Sequence, residues 1–203
     1  MIDRHDAVTQ ALRKLATRAA IKCTYTPKGC FSSPSINNET GEVKTYYGLT
    51  PDLRLFLAGH VVTGKDDNRH VVVDVRITDS TCPSQIGIGI EKSEDDKVRK
   101  YGDASDANGL IFVPLVMEVL GKWSEQTTAF VKGLVKTILM NEPEGMPECV
   151  ILTYWRKRIS SVLQRYNAAM LMGRYSRSTT RSNSKDSMCD ESNDFAIVST
   201  YNA

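Results

Sequence analysis

The spacing of apolar and polar positions divides the chain into helices and strands. Val8, Leu12, Leu15 and Ala19 recur at three- and four-residue intervals, with Arg4, Arg13, Lys14 and Arg18 elsewhere, which predicts an amphipathic helix over residues 3–20. Asp3 or Asp6 can cap its start. A short strand follows from Ile21 to Thr26 and stops at Pro27-Lys28-Gly29. From Phe31 onward Ser, Pro, Asn and Gly dominate, so residues 31–44 read as a mobile loop. Leu53, Leu55 and Leu57 alternate with Arg54 and Phe56, predicting a strand that ends at Ala58. After a polar turn at residues 64–68, His70–Thr78 is the strongest strand of all, dense in β-branched residues and free of proline.

Glu91 to Asn108 has helical composition, with Gly109 as its stop signal. Leu110 to Val116 predicts another strand, which Pro114 places at an edge or at the strand's own end. A helix over Thr127–Met140 aligns Phe130, Leu134 and Ile138, and a longer one over Cys149–Arg174 aligns Ile151, Trp155, Ile159, Val162, Tyr166 and Met170. Trp123, Met140, Met170 and Met172 read as core. Residues 175–203 are rich in Ser, Thr and Asn and read as a disordered tail after a folded domain over 1–174. Helix, three strands, helix, strand and two helices bury their apolar faces best as one α/β domain, a mixed sheet flanked by helices.

Composition narrows the class without naming a function. The 203 residues are 41% hydrophobic and 25% charged, ordinary for a soluble domain able to bury a real core. A net charge of +2 gives no global basic signature, so any nucleic-acid surface must come from local clustering. Cys23, Cys30, Cys82, Cys149 and Cys189 are scattered and odd in number, with no C-x-x-C, which points to reduced thiols in an intracellular protein. Cys23 and Cys30 lack the partners of a complete zinc set. No apolar run approaches the roughly 20 residues of a membrane span, and the charged start Met1-Ile2-Asp3-Arg4 is unlike a signal peptide. The expectation is neither secretion nor membrane insertion.

Asp74 is the residue that fits its surroundings least. It stands inside Val71-Val72-Val73-Asp74-Val75, where an ionised carboxylate costs several kcal/mol unless it is paired or holds a metal. Period-two alternation puts Val72, Asp74 and Arg76 on one face and Val71, Val73, Val75 and Ile77 on the core face. Asp52 opens the preceding strand directly after Pro51, so neighbouring strands can bring the two carboxylates together. Mg²⁺ or Mn²⁺ takes such an oxygen pair, completed by water and phosphate. Taken singly, each has a plainer reading: Pro-Asp is common at turns, and Asp74 can pair with Arg76 or a basic helix.

The pattern Pro51-Asp52, loop, Asp74-Val75-Arg76 resembles the PD-(D/E)XK restriction-endonuclease-like superfamily. The nearer likeness is to the nuclease domain C-terminal to the reverse transcriptase in site-specific non-LTR retrotransposon proteins. It rests on Arg4-His5-Asp6, Cys82-Pro83, Lys97 to Tyr101-Gly102, Phe112-Val113-Pro114 leading to Glu118, and the segment Arg158–Ala169. The resemblance implies a restriction-endonuclease-like core of order α-β-β-β-α-β and a Mg²⁺-dependent endonuclease that nicks DNA. Asp52 and Asp74 would bind the metal, Lys97 would assist the water or the phosphate, and Tyr101 would support the site. It further implies a nuclear protein acting with the reverse transcriptase part of a larger polyprotein.

The superfamily places a lysine two residues after the second acid, and Arg76 stands there in this chain. In the retrotransposon branch the lysine lies in the next helix. Lys97 shares a helix face with Tyr101 four residues on, and Lys100, about 100° round the helix from Tyr101, is the second choice. The gap between the two aspartates is longer than that branch shows, and the zinc-knuckle cysteines that precede its nuclease are absent from this sequence.

Glu118 is a further acidic ligand or a structural carboxylate, and His5 is a phosphate contact or plain helix surface. Arg76, Arg156, Arg158 and Arg165 are candidates to hold nucleic acid, with Lys157 and Arg174 making the last helix basic and Tyr154 and Trp155 interleaved. The bland alternative is a charged solvent face. The competing functions are a catalytically inactive nucleic-acid-binding module of the same fold, or a structural or partner-binding protein.

Overall fold

The computed structural model describes residues 4–36, 41–46, 48–64, 67–79 and 89–179. Its main sheet has four strands in the order β1 (Cys23–Tyr25), β4 (Leu53–Ala58), β5 (His70–Thr78) and β6 (Leu110–Glu118). β1–β4 and β4–β5 run antiparallel, while β5–β6 is parallel, so the sheet is mixed and open. The crossover from β5 to β6 is α3 (Ile90–Ala107). Helix α1 (Arg4–Arg18) precedes the sheet, and α4 (Glu125–Asn141) and α5 (Glu148–Thr179) follow it. The predicted order of helices and main-sheet strands is the order observed.

Strict alternation along β5 separates two layers. Val71, Val73 and Val75 join Leu53 and Leu55 of β4 and Val113, Leu115 and Met117 of β6 on one face. Val8, Leu12 and Leu15 of α1, Phe130, Leu134 and Ile138 of α4, and Trp155, Ile159 and Leu163 of α5 close over them. Each such side chain contributes about 1.5–3 kcal/mol on burial, so this face carries most of the stability. On the opposite face Val72 and Leu110 pack with Tyr101 and Ala104 of α3 and with Cys30 and Phe31 of the β1–β4 connection. That layer is smaller, and Asp74 belongs to its side of the sheet.

Local chemistry sets the joints. Ser124 caps α4 by accepting from the Thr127 amide at 3.0 Å. Helix α3 ends at Asn108, and Gly109 takes the left-handed φ of 62° that turns the chain into β6. Asn108 also donates to the Ser33 carbonyl at 3.3 Å and accepts from the Ser33 amide at 2.9 Å, tying the β1–β4 connection to α3. β6 lies at the sheet edge, where Pro114 costs no ladder bond on the open side.

Several expectations are corrected. Residues 31–44 are not plain loop: β2 (Ser35–Ile36) and β3 (Val43–Lys44) pair antiparallel as a small second sheet. A helical turn, α2 (His60–Thr63), precedes the polar turn and was not predicted, because four residues carry no periodicity. Met140, Met170 and Met172 are not core, being 78%, 44% and 68% exposed. Met140 falls off the α4 stripe that ends at Ile138, and the buried positions of α5 end at Leu163. Trp123 does pack partly buried against the main core. The compact unit ends at Ala169. Residues 175–179, predicted as tail, continue the helix, and the rest of the tail, like Cys82 and Cys189, lies outside the described residues.

Helices α2 and α4 touch backbone to backbone at Gly133. A Cβ there would meet the Val61 carbonyl oxygen at 2.2 Å and the Val62 Cα at 2.9 Å. Gly133→Ala is expected to destabilise the fold by about 1–3 kcal/mol through overpacking, although alanine favours helices. Thermal melts monitored by circular dichroism will show a Tm lowered by several degrees, and an unchanged or raised Tm would refute this close approach.

Candidate active site

Register brings the two aspartates together. Leu53 lies opposite Val73 in the antiparallel β4–β5 ladder, so Asp52, one residue before β4, stands at the β5 stretch that carries Asp74. The Asp52 amide donates to the Val73 carbonyl at 3.0 Å, and its own carbonyl accepts from Thr26 at 2.8 Å, which ties the residue before β4 to both neighbouring strands. Asp52 Oδ2 then accepts from the Val75 amide at 2.6 Å. Its carboxylate is thereby held against the residue next to Asp74.

Asp74 is 5% exposed and is not left bare. Lys97, on the α3 face that covers it, places its ammonium on Asp74 Oδ2. Of the two lysines weighed from sequence, Lys97 makes this contact. The Lys100 ammonium instead lies 4.6 Å from the Tyr101 ring centroid, and that of Lys97 lies 5.8 Å from it. Tyr101 stacks on Phe112 at 5.0 Å and meets Phe31 at 6.0 Å. Its hydroxyl donates to the Thr50 carbonyl at 3.4 Å, one residue before Pro51-Asp52, and lies within the field of the Asp74 carboxylate. Burial first, then the charge of Asp74, holds this hydroxyl far above the ordinary phenol range, so it stays a proton donor.

His5 is a further side chain at this cluster, and the sequence did not specify its contact. It lies in the first turn of α1, and its Nε2 meets Asp52 Oδ2 at 3.0 Å while Nδ1 meets Asp6 Oδ1 at 3.2 Å. Its pKa is pushed up to about 9, chiefly by the hydrogen bond to Asp52, with burial working the other way. Tyr25 of β1 also donates to Asp6, at 3.4 Å. The only sequence signal for this cluster was Arg4-His5-Asp6 in the retrotransposon resemblance.

The remaining candidates lie apart from this cluster or are already engaged. Arg76 shares the Asp74 face, and its guanidinium pairs with Asp96 of α3 at 3.4 Å. Glu118 pairs in register with Thr78, four residues beyond Asp74 and about 13 Å along the strand. Arg156 lies over Trp123 at 5.5 Å, and Arg158 lies over Trp155 at 5.8 Å while donating to the Tyr154 hydroxyl. Arg156, Lys157 and Arg165 are exposed on α5, which packs on the opposite layer of the sheet from Asp74. Helix α5 meets the first turn of α1 where Arg4 donates to Asn167 at 2.9 Å, and Arg156 is about 16 Å back along the helix from there. The structure thus joins Asp52, Asp74, Lys97 and Tyr101, and it does not bring the α5 arginines to them.

Among the described residues no group of three or more His, Cys, Asp or Glu side chains is placed to hold a metal ion. Cys23, Cys30 and Cys149 are free thiols, with Cys23 and Cys30 in different clusters. Nor is any helix among the described residues long and apolar enough to cross a membrane. No protein-family profile matches the chain, and no curated protein matches it either.

The His5–Asp52 contact has a pH signature. A folded-state pKa near 9 against 6.5 for a free imidazole means that the pair stabilises the fold fully below about pH 6.5. That contribution is lost as pH rises through about 9. The stability difference between wild type and His5→Gln, measured by urea unfolding, should therefore be largest near pH 6 and shrink toward pH 10. A difference independent of pH would show that the imidazole is not charged against Asp52.

Proposed function

We propose that this chain is a metal-dependent DNA endonuclease domain of retroelement origin, built on a restriction-endonuclease-like core. The observation that carries the reading is the hold of Asp52 Oδ2 on the amide of Val75, the residue next to Asp74, which brings the two carboxylates to one point of β5. The α-β-β-β-α-β order of the main-sheet elements supports the same reading. Asp52 and Asp74 would hold the cation. They suit Mg²⁺ or Mn²⁺, which needs only one or two carboxylates when water and phosphate oxygens fill its other positions. When bound, such an ion polarises the phosphodiester and lowers the pKa of a bound water.

The chain's own groups then divide the work. Val75 N–H and His5 fix the orientation of Asp52 through Oδ2 and leave Oδ1 free of both contacts. Lys97 supplies a cation beside the position of the reacting phosphate, where it offsets the charge that builds up as water adds to phosphorus and the P–O bond breaks. Tyr101, neutral and wedged between Phe31 and Phe112, keeps α3 in place over Asp74. Arg76 and the basic face of α5 are the candidates to hold the DNA backbone away from the cut. The partner implied by the resemblance is the reverse transcriptase portion of a larger polyprotein. One observation favours the second reading, an inactive binding module: Lys97 already neutralises Asp74.

Nicking of supercoiled plasmid in Mg²⁺ or Mn²⁺ tests the assignment. Asp52→Ala and Asp74→Ala are expected to abolish it, Lys97→Ala to reduce it by about 10²–10³, and Lys100→Ala to leave it within a few-fold of wild type. Circular dichroism on each variant separates lost chemistry from lost fold. Equal cleavage by wild type and both aspartate variants would sink the site, while an inert wild type would favour the binding module.

A further inference from the structure

Phe56 of β4 is a large aromatic side chain left 38% exposed on a strand whose other large residues are covered. It lies where the ladder is irregular: Leu55 pairs with Val71 and Ala58 with His70, so Phe56 and Leu57 have no partners in β5. Such bulges re-aim side chains. Three basic groups surround the ring. The Lys22 ammonium and the Arg54 guanidinium each stand 5.2 Å from its centroid, and His70 meets it edge-on at 5.4 Å. Among the described residues no carboxylate pairs with Lys22 or Arg54. The buried Nε–H of Arg54 has no acceptor there either.

An exposed ring beside two cations that no described carboxylate neutralises is complementary to an unpaired nucleotide, which offers a flat π face and a phosphate together. Duplex bases are already stacked and cannot use the ring. We propose that Phe56, with Lys22 and Arg54, forms a stacking platform for single-stranded DNA. The choice of DNA rests on the nuclease reading. Phe56 stands four residues beyond Asp52, so the platform lies about 14 Å along the strand from Asp52. That is the rise of about four nucleotides of a DNA strand. A strand freed at the nick has bases available to stack there.

The test uses the full chain carrying Asp74→Asn, in EDTA, so that binding is read without cleavage. A fluorescein-labelled oligothymidylate of roughly a dozen nucleotides is titrated by fluorescence anisotropy. Phe56→Ala and Phe56→Leu are expected to weaken binding roughly tenfold and Phe56→Trp to retain it. Lys22→Glu should weaken binding and flatten its salt dependence. Thermal melts should keep the Phe56 variants within a few degrees of their parent. Phe56→Leu binding as tightly as its parent overturns the platform, as does an oligouridylate bound about tenfold more tightly than oligothymidylate. Plasmid nicking by the otherwise wild-type chain is scored separately. Nicking with oligothymidylate binding indifferent to Phe56 overturns the platform alone, and absent nicking with Phe56-dependent binding overturns the nuclease reading alone.

Discussion

A carboxylate sealed between a sheet and a helix constrains everything around it. Asp74 sits in the middle of β5 beneath α3, where an uncompensated charge would cost several kcal/mol. Lys97 supplies the compensation, and in doing so fixes both the rotation and the height of α3 on the sheet. One helical turn later Tyr101 falls between Phe31 and Phe112, and its hydroxyl reaches back to the residue before Pro51. A shift of α3 by one residue would strand Asp74 and pull Tyr101 out of its aromatic slot together. The ion pair adds little net stability once desolvation is counted, but it selects one docking of the helix from many.

The sheet divides its labour by face. Valine and leucine on one side are laminated by α1, α4 and α5, and that side holds the molecule together. The other side has a thinner cover and carries Asp52, Asp74 and Arg76. Because β5 is a central strand, the same nine residues serve both layers through period-two alternation. Its pairing with β6 is parallel and with β4 antiparallel, so the strand is fixed on both edges before any side chain is considered. The double pairing covers Val71–Val73, and Asp74 follows directly after it, paired with Pro114 of β6.

The long elements were legible because each carries its own period. The valine run of β5, the stripes of α1 and α4, and Gly109 after α3 could be read locally, and so could the face on which Asp74 lies. Lys97 and Tyr101 were legible as an i, i+4 pair. The contact of His5 with Asp52 spans 47 positions and leaves no local trace. The β2–β3 pairing and α2 are two and four residues long, too short to show a period, and exist because neighbours support them. The three methionines failed for the opposite reason: apolar character predicts burial only where a partner surface exists, and α5 outruns its core after Leu163. The basic stripe of α5 was legible as charge but not as position, since a helix face says nothing about which side of a sheet receives it.

His5, Asp52, Asp74, Lys97 and Tyr101 all lie in the first half of the chain, whereas Phe130, Leu134, Trp155, Ile159 and Leu163, which seal the apolar face, all lie in the second. During synthesis the ionisable groups therefore leave the ribosome well before the hydrophobic wall that balances them. An emerging chain that has just completed β6 holds these groups on a sheet whose apolar face has only α1 to cover it. The contacts that shape the cluster come from α1, β4, β5 and α3, so they can form before the helices that seal the apolar face have been made.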